Sequence, residues 1–485
     1  MKHKIVSRRT QNGTDNANPG PSVIKRTAIA SAIETSPLSQ APPKLSVPAD
    51  VAPIDPSPPP TENGSHHPIF PVHEAPVLSG PQGILYDFNY GCRVKVSGGG
   101  WRVCIRDEEA GVVLFDEDAC DSIISSTKKY WVRFKLEVLR DHVLVFEHSF
   151  DPRGKTVYFR LPEGTLGDNI AWFPYVDAFR RKHGCHVVLS MAPGIWSLFE
   201  HAYPELEYID VKDEAARRKD FYASYYLGIF FPCADRSHQP TDFRVSGLQK
   251  TIPFLLGLPP TELRPRIGLP SDSVRTIAQP YVCIATHASA QSKHWNHPLG
   301  WIKTVEHLNR LGYRVLCVDK QQVNGYGLLW NAIPNGAEDF TGDLPLLERA
   351  ELIKHAEFFV GLSSGLSWLA WAVGTPVVMI SGFTHPFNEF ETPYRVINFH
   401  ACNSCWNDTT VEFDHKDYMW CPRHKDTDRQ FECSRLITPA QVNATIDRLV
   451  EEYCLRPPAR DRASATVTSL AVAREHPSAQ PPANR

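Results

Sequence analysis

The chain has no excess of either charge. Its 51 Lys and Arg stand against 54 Asp and Glu, a formal net charge of −3. A protein that grips a phosphate backbone needs a basic face, and this balance gives no ground for one. The chain also lacks an unbroken apolar run of membrane-spanning length. Residues 358–388 carry no Asp, Glu, Lys or Arg, but "GLSSG", "GTP" and "SG" divide them into a helix and a strand, short of the ~20 apolar residues a span needs. The basic start "MKHKIVSRRTQNGTDNANPG" is followed by no apolar segment, so it does not read as a secretory signal, and a cytoplasmic protein is expected. Cysteine is sparse outside one place. Eight of the twelve are scattered, several in apolar runs, as at Cys104, Cys185, Cys283 and Cys317, which is how reduced core thiols are distributed and not a disulfide framework. Aromatics are nearly missing from both ends. Residues 1–80 hold 14 prolines and one aromatic, Phe70, and residues 456–485 hold five prolines and no aromatic. Such segments cannot bury enough apolar surface to offset their ordering entropy, so both are expected to be disordered.

What lies between is ordinary globular sequence, with 42% hydrophobic and 22% charged residues over the whole chain. From 81 to 151 the pattern has period two ("CRVKV", "WRVCIRD", "GVVLFDE", "VRFKLEVL", "HVLVFEH"), which predicts five or six short antiparallel strands in a small sheet or barrel. At residue 152 the period changes. "TVYFRL" reads as a buried strand, "NIAWFPYVDAFRRKHG" as a helix with a basic end and a Gly cap, and "CHVVLSM" as the next strand, opening an α/β unit over 152–275. A second unit over 276–397 runs through "YVCIATHASAQ", the helix "PLGWIKTVEHLNRLG" with Pro298 at its expected first position, "YRVLCVD", "AEFFVGL", "GLSWLAWAVG" and "TPVVMIS". A cysteine-rich segment, 398–435, and a closing helix, 436–455, complete the folded part. The predicted class is therefore α/β, two Rossmann-like domains in tandem with a ligand cleft at the carboxyl ends of their strands.

Three loops follow strands at that edge. In "PEGTLGDN", Gly164 and Gly167 allow close backbone approach, and Asp168 either caps a helix starting at Asn169 or turns its carboxylate into the cleft. In "THASAQSKHWNHP", Lys293 is either a solvated surface lysine or a point charge for a diphosphate. In "GLSSGLSWLA", Ser363, Ser364 and Gly365 either form a simple cap or offer hydroxyls and backbone N–H groups to an anion. No "DxD" appears in these loops, so Mg²⁺ is not required.

Taken in order, "GTLGDNIAW", "SAQSKHW" and "GLSSGLSWLAWAVGTPVV" resemble the ADP-heptose-dependent glycosyltransferases across residues 155–397. With the β-rich segment before them and four cysteines after, nearly all of 82–455 resembles the bacterial autotransporter heptosyltransferases. That resemblance implies a GT-B fold of two facing Rossmann-like domains, an N-terminal β-barrel-like domain and an iron-bearing finger. It implies inverting transfer of heptose from ADP-heptose to serine hydroxyls of an autotransporter adhesin passenger, in the cytoplasm, by a large homo-oligomeric ring. By position it makes Asp168 the catalytic base, sets Lys293 on the donor diphosphate, and puts Thr165, Gly167, Ser363, Ser364, Gly365 and Leu366 around the donor. The chain departs from the lipopolysaccharide heptosyltransferases where Ser363–Ser364–Gly365–Leu366 stands for their Asp-Thr-Gly-Leu and Trp368 for their histidine. Two other readings stay open, a GT-B transferase for another nucleotide sugar and a non-catalytic metal-finger protein on a transferase core.

The four remaining cysteines are Cys402, Cys405, Cys421 and Cys433, spaced C-x2-C, then fifteen residues, C, eleven residues, C. The segment is polar and loop-like, so a metal held by four thiolates is what would order it. Zinc and iron suit four thiolates equally, and the family resemblance favours one structural iron. His400, His415 and His424 are nearby alternative ligands. Residues 401–435 carry five Lys or Arg against seven Asp or Glu, the wrong sign for a nucleic-acid finger.

Overall fold

A computed structural model describes residues 74–455 except 164, 231–236 and 328. The tail 456–485 and all but the last residues of the proline-rich start lie outside the described residues, as does Gly164.

The second α/β unit is an all-parallel sheet of six strands. Their order is Glu338–Asp339, Arg314–Cys317, Tyr281–Ile284, Phe359–Leu362, Val377–Ile380 and Arg395–Val396. Numbered along the chain this is 3-2-1-4-5-6, the dinucleotide-binding order, and it switches direction between Tyr281–Ile284 and Phe359–Leu362. The strands are short apolar runs such as "YVCI" and "VVMI", buried on both faces. Val282 and Ile284 face Val305 and Leu308 of helix Gly300–Leu311 and Val442, Ile446 and Leu449 of helix Pro439–Glu452. Cys283 faces the other way, into the core shared with helices Leu346–Lys354 and Gly365–Ala372. The last helix begins with a full capping box between Thr438 and Gln441, with Pro439 in its first turn. Pro298, by contrast, lies before its helix. The Gly300 N–H donates to His297 O (3.0 Å), so Pro298 holds the second position of a tight turn instead.

In the first unit, strands Glu207–Ile209, His186–Ser190, Thr156–Arg160 and Ala223–Tyr226 are parallel, in that order. This sheet does not stop there. Leu85–Asn89 pairs in parallel with Ala223–Tyr226, and Arg93–Val96 and Ser122–Ser125 follow antiparallel, with Leu78–Ser79 on Leu85–Asn89. The expected single small sheet or barrel is thus divided. Three of its strands extend the α/β sheet, and four others form a separate antiparallel sheet in the order Val112–Ala119, Trp101–Asp107, Phe134–Arg140, Val143–Ser149. The junction is polar and buried. Arg93 grips Asp87 with two bonds (2.8 and 2.6 Å), while Asn89 bonds Phe221 O (3.1 Å) and Ser224 (2.5 Å). Buried groups so fully partnered fix one register, because slippage would strand a charge. The two sheets share one core, where Phe88 stacks on Phe134 and meets Phe150 edge-on.

Candidate functional site

The first loop leads into helix Leu166–His183, whose N-cap is Thr165 in extended conformation. The helix ends at Gly184, left-handed at φ 63°, with its N–H on Arg180 O. Asn169 secures the loop by donating to Pro162 O (2.9 Å) and Thr165 O (2.7 Å). Asp168 is therefore inside the first turn and not the cap. The helix starts three residues earlier than expected, with Thr165 at the N-cap position but making no side-chain capping bond. In that turn the helix N-terminus favours a carboxylate, yet burial raises the Asp168 pKa to about 6, against the opposing charge of Lys293 and the Thr165 hydroxyl. A carboxylate poised there both ionises at neutral pH and retains real basicity.

The second loop is rigid. Asp319, just past strand Arg314–Cys317, accepts from Thr286 N (2.7 Å), Thr286 Oγ1 (3.0 Å) and His287 N (3.2 Å). Buried His294 donates from Nδ1 to Ala290 O (3.0 Å) and accepts from Ala288 N (3.3 Å), and burial lowers its pKa to about 4, so it is neutral. Lys293 donates to Ser289 Oγ (3.2 Å), and its ammonium lies 5.6–5.8 Å from the ring centres of Phe383, Trp406 and Phe413. Burial lowers the Lys293 pKa, and the charges of Asp168 and Glu389 raise it. Ser292 Oγ and His287 Nε2 are buried with no hydrogen-bond partner among the described residues.

The third loop enters helix Gly365–Ala372. Ser364 is its N-cap, but its side chain makes no capping bond, and Ser363 Oγ donates to Glu389 Oε1. Glu389 is buried between Arg395 (2.6 Å) and Asn388 Nδ2 (3.1 Å). Leu366 is partly buried against the main core. The first and third loops touch. A Cβ added to Gly365 would stand 2.9 Å from Leu166 Cβ, and one added to Gly167 3.0 Å from Trp368 Cδ1. Only glycine permits this approach, so the two helix N-termini from the two α/β units converge on one cleft. Trp368, 2% exposed, packs edge-on against Trp371 and Phe390 and seals that junction. A cavity of about 540 Å³ opens by Lys320, Gln322, Asp339 and Thr341, beyond the strands next to the second loop.

The cysteine segment forms a wall of the same cleft. Tyr418 O accepts from Gln291 N (2.9 Å), and Arg244 of the first unit donates to Val411 O (3.0 Å) and Thr409 O (3.1 Å). The four cysteines share one locality. Burial, then Cys405, Cys421 and Cys402, raises the Cys433 thiol to about 12; burial, Cys402 and Cys421 raise Cys405 likewise. All eleven described cysteines are free thiols. Among the described residues the ligand atoms that lie within 4.8 Å of one another are those of Cys402, His424 and Glu432, one cysteine and not four, so the expected four-sulfur set is not assembled as such. Glu432 is also engaged by Arg429 (2.7 Å) and Cys402 N (3.0 Å). His415 lies against Phe413 and feels Lys293, and His400 is exposed.

Asp168, Lys293 and the Ser363–Leu366 loop thus meet at the junction of the two α/β units, where Gly167 touches Trp368. The sequence reading missed Glu389, Asn388, Phe383, Trp406 and Phe413. Only Glu389 leaves a local trace, as the first charged residue after the uncharged run 358–388. No helix among the described residues is long and apolar enough to cross a membrane.

Two family profiles match. "Glycosyltransferase TibC, N-terminal domain" covers residues 80–142, and "Glycosyltransferase family 9 (heptosyltransferase)" covers 256–415. The autotransporter heptosyltransferase BAHTCr of Citrobacter rodentium is 48% identical over 378 residues, 78% of this chain and 91% of the relative. The inactive autotransporter heptosyltransferase BimC of Burkholderia thailandensis is 41% identical over 392 residues, 80% and 92% of the two chains. Among solved structures, the dodecameric iron-containing heptosyltransferase TibC in complex with ADP-D-beta-D-heptose is 44% identical with a TM-score of 0.76, covering 78% of this chain and 99% of the other.

Proposed function

The chain belongs to the autotransporter heptosyltransferase family, and on that premise we propose that it moves heptose from ADP-heptose to serine hydroxyls of an autotransporter adhesin passenger, with inversion. The supporting observation is that the Gly167 and Gly365 turns of the two α/β units touch, and that Asp168 and Lys293, one from each unit, lie close enough for their charges to act on each other. Asp168 takes the proton of the acceptor serine as its oxygen attacks the anomeric carbon. The bond to the diphosphate breaks on the opposite face, and ADP leaves with the electron pair. Its growing charge is met by Lys293 and by the helix N-terminus at Ser364 and Gly365. Thr165, Gly167, Ser363 and Leu366 complete the donor surface.

Cys402, Cys405, Cys421 and Cys433, gathered in one locality, would hold one structural iron once their sulfurs close around it, with zinc as the alternative. The metal supplies a cross-link that orders a polar segment. The iron-containing TibC supports the choice of iron, and its dodecamer supports a homo-oligomer here. The passenger is met in the cytoplasm, before export.

Incubation of the metal-loaded chain with a passenger fragment and ADP-heptose, and in parallel with UDP-glucose, tests donor and base together. Transfer is expected from ADP-heptose alone, with kcat/KM falling as pH drops below about 6, where Asp168 takes up its proton. A profile flat to pH 4.5 would remove Asp168 as the base. Transfer from UDP-glucose alone would replace the donor. A second reading, a non-catalytic binder on the same core, has the inactive BimC in its favour. It predicts ADP binding with no transfer from any donor.

A further inference from the structure

Trp406 stands one residue past Cys405, in the segment read as metal-binding, yet its contacts reach Lys293 of the second loop and Asn388. The Lys293 ammonium is 5.8 Å from the centre of its ring. Its indole Nε1–H donates to Asn388 Oδ1 (3.1 Å), and Asn407 Nδ2 donates to the same oxygen (3.2 Å). Asn388 in turn donates to Glu389 Oε1 (3.1 Å), the atom that accepts the Ser363 hydroxyl. One side chain of the finger therefore touches the second loop by its face and reaches the third loop by its edge.

We propose that Trp406 is a positioning residue for the donor diphosphate: its ring holds Lys293 and its N–H, through Asn388 and Glu389, holds Ser363. This rests on the reading that Lys293 and the Ser363–Gly365 loop take the diphosphate. The lysine stem is long and flexible, and an ammonium left free would spread over many rotamers. Three aromatic faces around it confine the charge without neutralising it, which leaves its attraction for phosphate intact. The Ser363 hydroxyl is likewise committed to Glu389, whose own orientation is set by Arg395 and Asn388. Both loops are thereby preset before the donor arrives, which lowers the ordering cost of binding.

The test uses the full, metal-loaded chain, with ADP as the titrant in calorimetry and ADP-heptose in steady-state transfer. Trp406→Phe keeps a ring but loses the N–H, and is expected to weaken ADP binding about threefold. Trp406→Leu loses both contacts, with about tenfold weaker binding. In both variants KM for ADP-heptose rises more than kcat falls, and metal content per chain stays at the wild-type value. If Trp406→Leu loses metal, Trp406→Phe decides alone. Wild-type ADP affinity and KM in Trp406→Phe would overturn the proposal, as would a fall in kcat at unchanged KM. Lys293→Ala runs beside them. Should it bind ADP like wild type, the donor-site reading itself fails. Should it weaken binding while Trp406→Phe does not, only the role of Trp406 fails.

Discussion

Asp168→Asn is expected to lower heptosyl transfer by ~10²–10⁴-fold at pH 7.5 while KM for ADP-heptose stays near wild type. Asparagine keeps the shape and the polar contacts of the first turn but accepts no proton. The loss therefore falls on the step in which the serine oxygen attacks. The stability of the variant separates chemistry from misfolding. In the folded chain the Asp168 carboxyl binds its proton up to about pH 6, against an ordinary value of 3.8. The folded state thus binds more protons than the unfolded one between those values, so stability falls as pH rises through them and stays at the lower level above. Asparagine carries no such cost. Thermal melting at pH 8 should find Asp168→Asn at or above the wild-type temperature, inactive and well folded. An inactive variant that melts below wild type would mark Asp168 as a structural residue.

The second large effect concerns the finger. Cys433→Ser removes one of the four proposed sulfur donors, and the Cys433 backbone packs directly on Gly382, where a Cβ would stand 2.3 Å from Cys433 O. Loss of the metal should cost on the order of several kcal/mol of local stability, since in metal-held modules binding energy is folding energy. The damage is not confined to the finger. Trp406, Phe413 and Tyr418 all contact the second loop, at Lys293 and Gln291, so their release should abolish measurable transfer along with the metal. Elemental analysis of the purified variant, limited proteolysis for cuts within 402–433, and ADP titration follow the three consequences separately. A variant without metal that still binds ADP and transfers at the wild-type rate would detach the finger from the site.

Local patterns carried much of this. The changes of period at "TVYFRL" and "YVCIATH" mark strands that the structure contains, and the loops following them bear the cleft residues, because in an α/β sheet chemistry gathers at strand ends. The start of helix Leu166–His183 is not legible locally, because Thr165 and Asp168 are both residue types common at the N-cap and nothing nearby ranks them. The partition of the β-rich segment into two sheets could not be read, since Phe88 pairs with Ala223, a partner far along the chain. The contact of the finger with Lys293 is hidden for the same reason. Trp406 and Phe413 look locally like filler in a polar loop, and only the fold brings them against residue 293.

The most direct measurement is site-resolved mass spectrometry of a passenger fragment after incubation with ADP-heptose and the metal-loaded chain. Single heptose additions on serines, each absent when Asp168→Asn replaces wild type, are the predicted result. An unmodified passenger, from a chain that is folded, holds its metal and binds ADP, would contradict it and leave the binding-protein reading in its place.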